Sequence, residues 1–184
     1  MKIIAIRHGE TDWNAEGRVQ GASDISLNEK GREQAGKTAD ILQSHKIDVI
    51  VSSKLKRAVE TAEIIAGKLN VSCVVSHEML HERNFGDYEG MSYENVPLQC
   101  LRSYHKNLAT PNGETIREAF IRVSDCLDNI LKIYSGKNIL FVVHGHVLRV
   151  MQWYFNGIPE TEEDETIYRI ENCAIYEFEI AGKF

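Results

Sequence analysis

The sequence predicts an α/β fold, a mainly parallel sheet with helices on both faces. Two observations predict it. Short apolar runs alternate along the chain with longer segments whose apolar residues recur at helical spacing. The strongest of these runs also end abruptly in polar residues, as strands do where their carboxyl ends open on a ligand crevice.

The first run, Ile3-Ile4-Ala5-Ile6, is rich in β-branched residues and reads as a strand buried on both faces. It passes straight into Arg7, His8 and Gly9. Residues 12–24 are polar and glycine-punctuated, which marks a loop at a strand end. Ser26-x-x-Glu29 has the form of a capping box, so a helix is expected to follow to about Ser44, burying Ala35, Ala39 and Leu42. Val49-Ile50-Val51 reads as the second strand, with Ser52 and Ser53 at its carboxyl end. Lys54 to Leu69 carries the helical stripe Ala58, Ala62, Ile65, Ala66 and Leu69. Arg57 falls in the first turn of that helix, an end that is already positive and disfavours a cation. The conflict suggests that Arg57 is placed there for an anion, the alternative being a solvated side chain.

Val71 to Val75 is the expected third strand, followed by a charged loop from His77 to Gly90. Residues 91–113 have poor periodicity and two prolines, and read as a small excursion above the sheet. Glu114 to Tyr134 is the longest clean helix, with Phe120, Val123, Leu127, Ile130 and Leu131 at helical spacing and Gly136 as its stop. Residues 138–143 form the most apolar strand, expected to be central, and end in His144-Gly145-His146. A helix is expected over Val147 to Asn156. Glu160 to Glu165 reads as a solvated acidic loop. Thr166 to Ile170 and Ala174 to Ile180 read as two closing strands.

At 184 residues one core suffices, so a single domain over residues 1–184 is expected. The net charge of −6 argues against non-specific nucleic-acid binding, so any anion site must concentrate its cations locally. Cys73, Cys100, Cys126 and Cys173 are scattered, with no Cys-x-x-Cys pair, and suggest mostly buried thiols in a reducing compartment. No apolar run reaches the length of a membrane span, and the opening run is too short for a signal peptide. The expected setting is cytoplasmic, with no membrane partner and a second copy of the chain as a candidate partner.

A mainly parallel sheet would gather Arg7, His8, Arg57 and His144 at one edge. Two guanidiniums and two imidazoles suit a compact, doubly charged oxyanion, and phosphate matches the planar fork of Arg. Neither a Gly-x-x-x-x-Gly-Lys-Ser loop nor Gly-x-Gly-x-x-Gly occurs, which excludes the common nucleotide-binding machinery. A histidine in such a cage is kept neutral by neighbouring cations and can attack phosphorus. Arg7, Arg57 and His144 would then stabilise the transferring oxygens. A carboxyl group beside the dianion has its pKa raised enough to protonate the leaving alkoxide. Glu82 is the first choice for that acid and Glu10 the second.

Arg7-His8-Gly9-Glu10-Thr11, followed by Asn14, Gly17, Arg18, Gln20 and Gly21, resembles the signature of the histidine phosphatase superfamily, also called phosphoglycerate mutase-like. Ser52-Ser53-x-Leu55-x-Arg57-Ala58-x-x-Thr61-Ala62 is similar to its second motif. Glu82-Arg83-x-Phe85-Gly86-x-x-Glu89-Gly90 is similar to its third, and Val143-His144-Gly145 to its fourth. The resemblance covers nearly the whole chain. It implies a three-layer α/β/α sandwich and two-step transfer through a phosphohistidine. His8 would be the nucleophile, Arg7, Arg57 and His144 would hold the phosphoryl group, and Glu82 would be proton donor and then base. Asn14 and Gln20 would contact phosphate or substrate, with Thr11 and Gly21 as further substrate-binding candidates. No metal or other cofactor is implied.

The leading reading is a phosphomonoester hydrolase acting on a small phosphorylated metabolite. The rival is a bisphosphoglycerate-dependent mutase, which the short excursion and the absence of an Arg-Arg pair disfavour. A metallohydrolase built on His144-x-His146 is disfavoured by the two arginines, which repel a cation. A catalytically silent phospho-ligand-binding module is the non-enzymatic alternative. For His146 two roles stand open, substrate contact or a cap on the following helix.

Overall fold

The computed structural model describes residues 1–97, 104–161 and 170–179. Among the described residues, five strands form one sheet: β1 (Ile3–Arg7), β2 (Val49–Ser53), β3 (Val74–His77), β4 (Ile139–Val143) and β5 (Ile175–Phe178), in the order β3-β2-β4-β1-β5. β1, β4, β2 and β3 pair in parallel, and β5 closes the β1 edge antiparallel. Among the described residues the α-helices are α1 (Asp12–Ala15), α2 (Glu29–Leu42), α3 (Lys56–Leu69), α4 (Ile116–Ile133) and α5 (Gly145–Asn156).

Strand geometry sorts the core into two layers, because successive side chains point to opposite faces. Ile4, Ile6, Ile50, Leu140 and Val142 face α2 and α3, where Ala39, Leu42, Ala58, Ala62 and Ile65 meet them. Ile3, Ala5, Val49, Val51, Phe141 and Val143 face α4 and α5, against Val123, Leu127, Leu131, Val147 and Met151. The result is the expected three-layer sandwich. The central strand is β4, and all five of its residues are buried.

Register positions the site. Arg7 stands opposite Val143 and Ser52 opposite Val142, so β1, β2 and β4 end level with one another. The His8 amide still donates to the Val143 carbonyl at 2.9 Å, which sets His8 and His144 side by side just past the sheet.

Several boundaries differ from expectation. The cap of α2 is Asn28 rather than Ser26: its Oδ1 accepts from the Gly31 amide at 2.8 Å, while its own amide donates to the Glu10 carbonyl. A contact with the β1 loop therefore overrides the local Ser-x-x-Glu pattern. Within the expected loop 12–24, α1 forms a single turn, because Thr11 and Asn14 make a reciprocal capping box. α3 begins at Lys56, after Leu55 has donated its amide to Ser53 Oγ. β3 starts at Val74, since Val71 packs as a partly buried residue under α2 and α3. α5 starts two residues early because the His144 carbonyl accepts from Leu148. Cys73 is exposed, whereas Cys126 is buried as expected.

Val96, in the expected excursion, packs on Val19 and Phe85. Cys100, most of the acidic run and residues 166–169 of the expected strand lie outside the described residues, and Ile170 is buried in the core. Among the described residues no helix is long and apolar enough to cross a membrane.

The loop after β1 touches α2 backbone to backbone. A Cβ at Gly31 would lie 2.1 Å from the Glu10 carbonyl oxygen, and one at Gly9 would lie 2.4 Å from the Gly31 oxygen. Neither neighbour is a flexible side chain. Gly31→Ala should therefore lower unfolding stability by about 2 kcal/mol, in the range of overpacking, read as a lower urea midpoint. An unchanged midpoint would show that the loop yields freely.

Candidate active site

Arg7 ends β1 and donates Nη1 to the Ile170 carbonyl at 2.5 Å. His8 follows, only 2 % exposed. Its Nδ1 lies 2.7 Å from the Gly9 carbonyl oxygen. A carbonyl only accepts, so Nδ1 carries the proton and Nε2 keeps the lone pair. The His144 ring stands 5.2 Å away, centroid to centroid, tilted by 57°. Both His144 ring nitrogens are buried without a hydrogen-bond partner among the described residues. Unpartnered polar atoms at such depth call for a ligand.

Arg57 is completely buried. Its Nη1 donates to the Ser23 carbonyl at 2.6 Å and Nη2 to the Gly21 carbonyl at 2.7 Å, while Nε has no partner among the described residues. Carbonyl dipoles hold the guanidinium without neutralising it. Burial pushes its pKa down to about 10, against the nearby Glu82, and Arg57 remains a cation at neutral pH.

Burial, and then the charges of Arg57 and Arg7, hold His8 well below the ordinary imidazole range. Burial and Arg57 do the same for His144. Both rings are neutral. The pocket thus joins fixed cations to a neutral imidazole with a free ring nitrogen, an arrangement that receives an oxyanion and presents a nucleophile to it.

Glu82 enters from the loop after β3 and is 8 % exposed. Its Oε1 accepts from the Arg83 amide at 2.9 Å, and both carboxylate oxygens lie 3.2 Å from the His146 amide at the head of α5. Burial raises its pKa, but the His146 contacts, His144 and the Arg83 amide outweigh it and hold the carboxyl well below the usual range. The Glu82 carboxyl is thus shifted down, opposite to the raised pKa expected beside a phosphate dianion. The Glu10 carboxylate is turned toward α2, where it meets Asn28 Nδ2 at 3.1 Å and Lys30 Nζ at 2.8 Å.

Thr11, Asn14 and Gln20 sit together beside His8. Thr11 Oγ1 lies 3.0 Å from Gln20 Oε1 and 3.2 Å from Asn14 Oδ1, which also accepts from the Thr11 amide at 3.3 Å. Gly21 lies behind Arg57. Its φ of +55° is a left-handed conformation, and a Cβ there would meet Glu89 Oε1 at 2.0 Å.

Three residues that the sequence reading left without a role support the site. Thr61 Oγ1 accepts from the Gly9 amide at 3.1 Å and donates to the Arg57 carbonyl at 2.6 Å. Glu89 gathers the amides of Ala22, Ser23 and Phe85, fixing the carbonyls that hold Arg57. Both stand inside motifs quoted above, so a signal existed. Asn172 donates to the His8 carbonyl at 2.9 Å from 164 positions away, and no local pattern marks it. Among the described residues no three of His, Cys, Asp and Glu are grouped as metal ligands would be.

Burying two neutral imidazoles makes stability depend on pH. Unfolded, each histidine takes up a proton near its ordinary value of about 6.5. Folded, both stay neutral to lower pH. The unfolded chain then binds more protons, so this stability is present above about pH 6.5 and is lost as pH falls below it. Tm should drop between about pH 7 and pH 5, and His144→Asn should make that slope shallower. A flat Tm in the parent protein would contradict neutral burial.

Comparison with known proteins places this geometry. Residues 3–183 match the family model of the histidine phosphatase superfamily, branch 1. The chain is 35 % identical over 180 residues to the Uncharacterized phosphatase PhoE of Bacillus subtilis, covering 97 % of this chain and 88 % of that one. It is 35 % identical over 174 residues to Phosphoglycerate mutase-like protein 4 of Arabidopsis thaliana, covering 90 % and 75 %. A phosphoserine phosphatase mutant from Entamoeba histolytica, solved in complex with phosphoserine, superposes with a TM-score of 0.85 at 28 % identity, over 98 % of this chain and 91 % of that one. The chain belongs to branch 1 of the histidine phosphatase superfamily and is an enzyme of the phosphatase type.

Proposed function

We propose that the protein hydrolyses a phosphomonoester of a small metabolite in two steps, through a phosphohistidine on His8. The observation that carries this reading is the pairing of a free His8 Nε2 with a buried Arg57 whose guanidinium is anchored by two backbone carbonyls.

Arg7, Arg57 and the unpartnered His144 nitrogens would hold the three phosphoryl oxygens. Asn14 and Gln20 spend their side-chain carbonyls on Thr11 and present their amide nitrogens as further donors. Thr11 and Gly21 then act behind the pocket, the first by orienting these amides and the second by anchoring Arg57. Nε2 attacks phosphorus and the ester P–O bond breaks. Glu82 gives its proton to the departing alkoxide. Water next attacks phosphorus on His8, its proton passes to Glu82, the N–P bond breaks and phosphate leaves. One ester and one water thus give one alcohol and one phosphate. Entry of the dianion reverses the balance on Glu82 and lets it take up the proton it must donate.

Hydrolysis is favoured over mutase chemistry because no Arg-Arg pair is present for a substrate carboxylate. The likeness to a phosphoserine phosphatase supports a small phosphorylated acid as substrate class. The net charge of −6 disfavours a nucleic-acid partner, and a cytoplasmic setting and a homodimer belong to the same reading.

Incubation in chelator with a phosphomonoester panel that includes phosphoserine and 3-phosphoglycerate should release phosphate at an undiminished rate. Interconversion of phosphoglycerates without release would make the protein a mutase. His8→Ala should abolish turnover and leave the circular dichroism unchanged. Arg57→Lys should lower kcat/KM by about 10²-fold or more, as loss of a fixed oxyanion donor does, and near-parental kinetics would take Arg57 out of the cage.

A further inference from the structure

Glu82 must hold a proton at the moment of ester cleavage, yet it is only 8 % exposed, and the donors around it hold its carboxyl well below the usual range, so a route for that proton is needed. His146 stands where a carrier would. It occupies the second position of α5 and does not cap that helix, since His144 does. Its backbone amide already serves the carboxylate, at 3.2 Å from both oxygens. Its imidazole adds something separate. Nδ1 lies 3.9 Å from Glu82 Oε2, and the side chain is 19 % exposed while that of Glu82 is 10 % exposed. The ring rests edge-on against Phe85, with centroids 5.0 Å apart. His146 therefore touches the buried acid on one side and solvent on the other.

We propose that His146 relays protons between solvent and Glu82, which makes it a positioning and proton-supplying residue that acts through the acid. The proposal rests on the hydrolase reading above. The step balances: as the substrate dianion enters, one ring nitrogen of His146 gives its proton to the Glu82 carboxylate while the other takes a proton from a solvent acid, hydronium or buffer, whose conjugate base stays in solvent. At 3.9 Å the pair is longer than a hydrogen bond, so the relay requires the two groups to close by about 1 Å. Other charged or titratable groups around the pair are Arg57 from α3, His144 at the head of α5, His81 just before Glu82, and the buried Arg83 just after it, whose guanidinium lies 5.2 Å over the Phe85 ring. Arg57 is a fixed cation that cannot shuttle protons, and His144 is neutral and fully buried. Of these groups, only His146 and the partly buried His81 reach solvent, and His81 Nδ1 is engaged with the Glu82 carbonyl at 2.7 Å.

The test compares leaving groups. p-Nitrophenolate departs without a proton, whereas the serine alkoxide of phosphoserine does not. Rapid-quench formation of phosphohistidine is measured with both esters in the parent enzyme, His146→Gln and His146→Asn, across about pH 5.5 to 8.5. The relay predicts that substitution slows the phosphoserine reaction about tenfold more than the p-nitrophenyl reaction near pH 8, since general acid catalysis matters only for the poorer leaving group. The gap should narrow toward low pH, where hydronium recharges Glu82 directly, and KM should change little. Equal losses with both esters, a gap independent of pH, or no loss in either folded variant would overturn the relay. Absence of phosphohistidine in the parent enzyme would instead overturn the hydrolase reading beneath it.

Discussion

Two peptide carbonyls carry the guanidinium of Arg57, and the rest of the site depends on that choice of partner. A carboxylate in their place would have satisfied the same donors and cancelled the charge. The Gly21 and Ser23 carbonyls anchor the group at 2.7 and 2.6 Å and leave its positive field intact. Burial first, and then that field, keeps His8 and His144 neutral. An isolated buried cation is unfavourable unless its surroundings are fixed in advance. Here the fixing is visible as Glu89 gathering three amides of the surrounding loops, and as Gly21 in a conformation that avoids it.

The sheet turns this local arrangement into a pocket. Because β4 lies between β1 and β2, and all three end level, each contributes to one crevice without a long loop. The backbone contact between Gly9 and Gly31, and the Thr61 bridge from Gly9 to Arg57, bind the β1 loop to α2 and α3. The groups on α3 and after β1 are thereby held as one piece. Glu82 belongs to a different loop and is tied to the head of α5 instead. The proposed acid and the proposed nucleophile thus sit on separately anchored supports, which would suit groups acting from opposite sides of a transferred phosphoryl group.

Much of this was legible in the sequence, for physical reasons. Strand ends announced themselves because a fully buried apolar run cannot continue into Arg or His without leaving the core. Arg57 announced itself by standing where a helix disfavours a cation. The sandwich followed from strand–helix alternation. What stayed hidden was long-range. Asn172 reaches His8 across 164 positions, and no periodicity encodes such a contact. The α2 cap moved from Ser26 to Asn28 because the β1 loop supplied a partner that the local pattern did not contain. The direction of the Glu82 shift was read from a neighbouring phosphate dianion, whereas the amide and imidazole donors around the carboxyl, which no local pattern announces, pull it down.

The central claim is that His8 is held as a neutral imidazole with Nδ1 protonated and Nε2 bare. Long-range nitrogen–proton NMR of ¹⁵N-histidine-labelled protein tests it most directly, with His8→Ala identifying the resonance. The His8 ring should show one protonated nitrogen and one unprotonated nitrogen, unchanged from about pH 7.5 down to about 5.5, a range that spans the ordinary imidazole titration. A His8 ring that titrates near its ordinary value, or that carries its proton on Nε2, would contradict the account.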